Sequence, residues 1–416
     1  MTEFYFVEPT DSMFFRSNLP FGGAGEHGVG LMPPPPSVFA GAFRSAILAQ
    51  EASILTRFLR EGTTGDGRLR SVIGEADPAS GAAKKNGTFR ISSVTLAGSR
   101  RDATASVPER VYPLPADLVP LQSGFARLMP RDRDQLLIDG RELPLTAVLC
   151  THKQEKAKSG LFLRESGWRK YLDGALPAVS PDTIDARHLY ARDPRLGIGL
   201  DANARTAMSG LIYTTEGFAF GTMQGYVRSQ QELSTFAATG FLVGIDGADG
   251  TLPESGFLRL GGDGRAAHYR RVNYKPPEPF LDSVARERRF RLVLTTAGLF
   301  SLNGGRHNPE GWIPDGVKPE GNDFVLRTKD FSARLVCAAA SRREIVSGWD
   351  LFRWKPKDAH ASVPAGAVYW FEALQGDSRK LYEWVRGGLW GHQADPARRT
   401  EGFNNAIIAA WPHDDQ

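Results

Sequence analysis

The residue types between positions 16 and 44 suit the gripping of an anion. Arg16 and Arg44 bracket a stretch with five glycines between Gly22 and Gly30, four prolines from Pro33 to Pro36, and then Ser37. Gly22, Gly23 and Gly25 allow backbone to approach a ligand closely. The prolines form a stiff segment that sets where the next helix begins, and Ser37 is a good cap for it. A helix N-terminus carries free N–H groups and a positive dipole end, so a phosphate is the favoured partner, and Ser37, Gly41 and Arg44 on that helix are counted with the site. His27 could act as a general acid-base, but no partner base is identifiable, so a surface histidine contacting phosphate or solvent is the expectation.

Other chemistries fit less well. Gly23 to Gly28 matches GxGxxG, yet the four prolines intervene before the helix and no acidic residue closes a second strand, so no dinucleotide or other cofactor is expected. The eight histidines include no HExxH or other close metal pair, and Cys150 and Cys337 lie far apart outside any CxxC pair, so no metal site or disulfide framework is expected. The His413-Asp414 doublet sits at the C-terminal end and reads as a frayed tail. Gly261-Gly262 and the 387–391 glycine run are further places where backbone could meet phosphate, with simple turns as the alternative.

At 416 residues, 41% of them hydrophobic, the chain exceeds one ordinary core, and two domains are expected, 1–185 and 186–416. With 51 Lys plus Arg against 47 Asp plus Glu the net charge is +4, which permits nucleic-acid binding without demanding it. The cations cluster at Arg68 and Arg70, at Lys84-Lys85, at Arg100-Arg101, at Lys153, Lys156 and Lys158, from Arg286 to Arg291, and at Arg342-Arg343. Each alone reads as a solvated surface run; their recurrence beside glycine-rich loops favours a groove. The N-terminus lacks a basic n-region and a long apolar run, which argues against export and a membrane span and suits a reducing cytoplasm.

These residues must be positioned by a mixed set of elements. Residues 1–7 read as a first strand. Phe39, Phe43, Ile47, Ile54, Leu55 and Phe58 recur at helical spacing, predicting a long helix from Ser37 to about Arg60 that Gly62 ends, with Phe43 and Ile47 facing a core. Residues 61–88 read as a mobile insertion or hairpin. Strands are predicted at 89–96, 147–151, 211–215, 240–245, 290–296, 333–338 and 406–411, and a helix from Asp377 to Arg386 ended by Gly387-Gly388. Many strands with few helices point to an α+β fold.

The block Glu8-Pro9-x-Asp11-x-x-Phe14-Phe15-Arg16-x-x-x-Pro20-Phe21, followed by Pro-Pro-Ser-x-x-Ala-Gly-Ala-x-Arg at 35–44, resembles the RAMP-superfamily subunits that hold the 5′ end of the guide RNA in type III-B CRISPR effector complexes, the third subunits of the Cmr module. Tyr112-Pro113-Leu114-Pro115-Ala116-Asp117-Leu118 resembles that family's proline-aspartate signature. Residues 193–201 with 210–213 resemble its mid-chain signature, and residues 363–369 the strand before its last helix. Its basic glycine-aromatic-glycine loop before the last strand is similar to Arg398-Arg399-Thr400-Glu401-Gly402-Phe403-Asn404-Asn405, where the second glycine is missing.

The resemblance implies two ferredoxin-like domains of the RNA-recognition type, the first with an insertion near 61–88. It implies a non-catalytic subunit that anchors the crRNA 5′ handle and joins the large polymerase-palm-like subunit to a neighbouring RAMP backbone subunit, with target RNA met only indirectly. Arg16, Gly22, Gly23, Gly25, His27, Ser37, Gly41, Arg44, Lys153, Lys156, Lys158, Arg195, Gly261, Gly262, Arg398 and Arg399 are the candidate RNA contacts. Trp349 and Trp354, in a stretch more apolar than a free loop should be, are the candidate partner contacts. A metal-independent endoribonuclease processing precursor crRNA, and a general single-stranded nucleic-acid module, remain the alternatives.

Overall fold

The computed structural model describes residues 2–16, 27–79, 83–100, 107–132, 143–149, 151, 155–201, 203–220, 236–277, 281–300, 311–350, 353–391 and 395–412. The chain forms two compact units built from alternating segments. The first comprises Met1–Glu109, Ala186–Asn273 and Ile345–Ala359, and the second Arg110–Asp185, Tyr274–Glu344 and His360–Gln416. The chain thus changes unit at 185/186, where the sequence places a boundary, and also at four other points. Both units are mostly antiparallel sheet with few helices, an α+β architecture.

In the first unit five strands pair antiparallel in the order Arg90–Arg100, Phe236–Asp246, Glu3–Pro9, Arg265–Val272, Ser255–Leu260. The N-terminal segment is a central strand because it is apolar enough to be buried along most of its length. The helix Pro36–Leu48 covers one sheet face with Phe39, Phe43 and Ile47, spaced by four as one helical stripe. Phe43 meets Tyr5 and Tyr269 at ring distances of 5.5 and 5.6 Å, and Phe39 meets Phe241 at 4.9 Å.

Two details differ from the sequence reading. The single helix over 37–60 is two, Pro36–Leu48 and Ala52–Glu61, bent by 118°. No glycine or proline marks the break. Glu51 turns extended, and Gln50 Nε2 donates to the Thr251 carbonyl at 2.6 Å, a tertiary contact that local periodicity does not contain. Gly62 ends the second helix at φ 72°, as expected. Ser37 is not the cap: Pro35 occupies that position and Pro36 the first helical one, where a missing N–H costs nothing. Of the two readings of 61–88, a hairpin is what forms. A short helix, Gly67–Ile73, capped by Asp66 Oδ1, buries Val72 and Ile73 and leads into the pair Gly74–Ala76 and Ala83–Asn86.

The second unit centres on six strands in the order Val317–Glu320, Asp323–Arg327, Phe331–Ala339, Val368–Gly376, Phe290–Leu294, Ala406–Ala410. Phe290 stacks on Phe371 at 5.1 Å, and Leu292, Leu326, Leu335 and Phe300 complete that core. The helix Ser378–Arg386 starts at Asp377, whose carboxylate accepts from Arg379 N. It buries Leu381 and Val385 and stops at Gly387, close to the predicted bounds. A second cluster forms around Trp168, Tyr171 and Trp370, joining the helix Glu165–Leu172 to the sheet.

Candidate nucleic-acid interface

The residues following the first strand are held by three neighbours. Thr10 N donates to Ala266 O, while Met13 and Phe218 exchange backbone hydrogen bonds at 2.8 and 2.7 Å. Arg16 bridges Gly30, and Leu31 N donates to Phe15 O at 2.8 Å. His27–Gly28 pairs parallel with Thr214–Thr215, and Gly262 N donates to Phe14 O at 2.7 Å. Arg16, the backbone of His27, Arg195, Gly261 and Gly262 are thereby brought together in the first unit.

The glycines here serve chain-to-chain packing. A Cβ on Gly30 would sit 2.5 Å from the Glu216 carbonyl, and one on Gly261, at φ 71°, 2.7 Å from the Phe14 carbonyl. The charges have a hub in Asp11. Its carboxylate takes Arg265 at 2.7 Å and lies 3.8 Å from Arg195, which also pairs with Asp193 at 2.7 Å. Burial raises Asp193, but the Ser12 hydroxyl and Arg195 outweigh it and hold the carboxyl below its ordinary range. Arg16 is exposed at the rim.

The Arg44 guanidinium lies 5.5 Å from the Phe89 ring centroid and its Nε is buried, so Arg44 helps pack the helix. Gly41 is exposed, with open space where a Cβ would be, and Ser37 is half-buried. Gly22, Gly23, Gly25, Lys153, Cys150 and the His27 side chain lie outside the described residues.

Lys156, Lys158, Arg398 and Arg399 belong to the second unit. Arg398 is buried, pairs with Glu401 at 3.1 Å and lies over Phe403, so it offers no open cation; Arg399 is exposed. The missing glycine of that loop has a physical account. Asn404 adopts φ 60°, a region that asparagine tolerates better than most residues. Its side chain accepts from Leu299 N at 2.6 Å and donates to Leu389 O at 3.2 Å.

The basic cluster at 286–291 also disperses. Arg291 is fully buried. It donates to Asp117 Oδ2 at 2.7 Å and to the carbonyls of Ala410 and Tyr171, both at 2.9 Å, while Tyr171 Oη donates to Asp117 Oδ1 at 2.6 Å. The aspartate of the proline-aspartate signature is therefore a core lock.

The sequence reading missed a surface. Strands Tyr190–Leu200 and Ala207–Phe220 form a long antiparallel ribbon on which Leu196 (72% exposed), Ile198, Leu200 (63%), Met208 and Ile212 stand open. Its signal was the alternation Leu-Gly-Ile-Gly-Leu from 196 to 200, an apolar row backed by glycines. Trp349 and Trp354 are exposed on a short hairpin, with rings 5.9 Å apart and edge to face. Trp168, Trp370, Trp384 and Trp390 are packed into the second unit or against its core. Among the described residues no group of three or more His, Cys, Asp or Glu is placed to hold a metal ion, and no single helix is long and apolar enough to cross a membrane.

Residues 5–411 match the family model described as CRISPR-associated protein (Cas_Cmr3). No curated protein matches. Among solved structures, the chain is similar to one in the cryo-EM structure of the type III-B Cmr-beta complex bound to cognate target RNA and AMPPnP, at 14% identity and a TM-score of 0.45 over 97% of this chain and 95% of that one. It is similar to the same degree to one in the complex bound to cognate target RNA, over 97% of this chain and 96% of that one.

Proposed function

Because the chain belongs to the Cas_Cmr3 family of CRISPR-associated proteins, we propose that it is a non-catalytic, RNA-binding subunit of a type III-B CRISPR ribonucleoprotein. In this reading it anchors the 5′ handle of the crRNA and joins the large polymerase-palm-like subunit to a neighbouring RAMP backbone subunit. Its two units are enlarged ferredoxin-like RAMP domains, and base pairing by the guide, not this chain, reads the target. The observation that carries the proposal is the convergence around Asp11. Arg195 and Arg265 both approach the Asp11 carboxylate, and the 14–16 segment that follows, ending in the exposed Arg16, is held by the backbone of Gly30–Leu31 on one side and by Gly262 on the other, a basic rim with main chain close by.

The test is the affinity of handle RNA for the purified chain as a function of salt. Arg16→Ala weakens binding and lowers the slope of log K against log salt by about 0.7, the value for one phosphate contact on a single strand. A folded Arg16→Ala variant with the parent's affinity and slope refutes the placement of the handle at this rim.

A further inference from the structure

On the second face of the first unit's sheet, burial differs between the centre and one edge. Phe4, Phe6 and Leu242 on that face are buried, whereas on the edge hairpin Ser255–Leu260/Arg265–Val272 Phe257, Arg259 and Ala266 are exposed and His268 and Arg270 half-buried. The burial alternates by residue: Leu258, Leu260, Ala267 and Tyr269 point to the helix-covered core, and Phe257, Arg259, Ala266, His268 and Arg270 point the other way. Phe257 is 68% exposed on the outermost strand. Its cross-strand partner is His268, whose ring meets it at 5.4 Å, edge to face.

The surroundings are cationic. Arg265 is committed to Asp11, and Arg271 to Glu3 and Glu254. Arg259 and Arg270 form no ion pair among the described residues, and Arg270 lies over Phe6. Glu8, an acid on this face, lies opposite His268 on the neighbouring strand. Phe257 thus presents an open aromatic face on the outermost strand. One ring is too little apolar surface to hold a protein, whose stable interfaces bury on the order of 1,200 Å² or more. It is enough for one base, since base-aromatic stacking needs a single π-face, and the flanking cations suit the adjoining phosphates.

We propose that this outer face is a stacking site for one unpaired RNA base, with Phe257 as its platform, His268 bracing the ring from the edge, and Arg259 and Arg270 on the neighbouring phosphates. The proposal rests on the reading of the chain as an RNA binder. The same hairpin also carries Gly261, Gly262 and Arg265 of the basic rim, with Arg265 opposite Leu260 and so on the other face from Phe257.

The test is fluorescence anisotropy of a short, unstructured, labelled single-stranded RNA titrated with the full-length chain at several salt concentrations. Phe257→Ala and Phe257→Leu weaken binding by roughly five- to a hundredfold, the range for losing one stacked base, while Phe257→Trp retains it. The salt slope stays at the parent value in Phe257→Ala, because stacking releases no counterions, and falls by about 0.7 in Arg259→Ala. Far-ultraviolet circular dichroism checks that each variant is folded. Parent affinity in folded Phe257→Ala overturns the stacking site alone, and so does equal loss in Phe257→Trp. If Phe257→Ala leaves RNA affinity intact but weakens co-elution with the other subunits of the complex, the patch is a protein contact and the proposal fails. An unmutated chain that binds no RNA at all sinks the functional reading as well.

Discussion

Asp117→Asn isolates one charge in the core of the second unit. In the parent chain the Asp117 and Arg291 side chains are both fully inaccessible and 2.7 Å apart, with Tyr171 donating to the second carboxylate oxygen. The substitution keeps the side chain's size and an oxygen for Tyr171, but it leaves the guanidinium bonded only to the Ala410 and Tyr171 carbonyls. A buried charge stripped of its partner costs about 3–5 kcal/mol. That is a large share of the roughly 5–15 kcal/mol that holds a domain together. For a unit of about 200 residues, each kcal/mol moves the midpoint by about 2–4 °C, so the thermal transition falls by about 6–20 °C. Scanning calorimetry of the purified chain measures it. Asp117→Leu combined with Arg291→Met recovers most of the loss, since an apolar replacement of a buried ion pair is often neutral. A single variant within 1 kcal/mol of the parent, or a double variant no more stable than the single one, refutes the account of Arg291 as a locked core charge. RNA affinity per folded molecule stays unchanged, which separates this arginine from those at the rim.

Burial pushes the Tyr171 phenol well above its ordinary value near 10, against the lowering effect of Arg291 and with Asp117 adding to the rise. The folded state therefore keeps a proton that the unfolded state loses: the stability is present below pH 10, falls as pH rises beyond it, and falls less in Tyr171→Phe, which denaturant titration between about pH 8 and 11 reads. Repeat RNA incubated with the chain, with and without divalent metal, stays whole on a denaturing gel; specific cutting that His27→Ala abolishes would replace the structural role with endoribonuclease activity. Trp349→Ala with Trp354→Ala removes two exposed rings at little cost in folding and weakens co-elution with partner subunits on size-exclusion chromatography, whereas co-elution at full strength takes the hairpin out of the interface.

What could be read from the sequence was local. The stripe Phe39, Phe43 and Ile47 announced a core-facing helix, Asp377 and Gly387 marked both ends of another, and the apolar run near 240 announced a strand. Each of these depends on neighbours within a few positions, and periodicity and capping act at that range. The motif blocks from Glu8 to Tyr369 likewise pointed to the family without any fold. The tertiary structure decided what local spacing does not encode. Arg291 and Arg16 look alike in sequence, yet one is sealed against Asp117, 174 positions away, while the other is exposed. Asp11 finds Arg265 across 254 positions, and at the break between the two helices Gln50 reaches Thr251, 201 positions on. Asn404 keeps a glycine's backbone because two buried hydrogen bonds hold its side chain. Whether an arginine is a solvated surface cation or a core ion, and whether a phenylalanine is core or exposed, depends on the solvent and charges around it, and long-range strand pairing sets both.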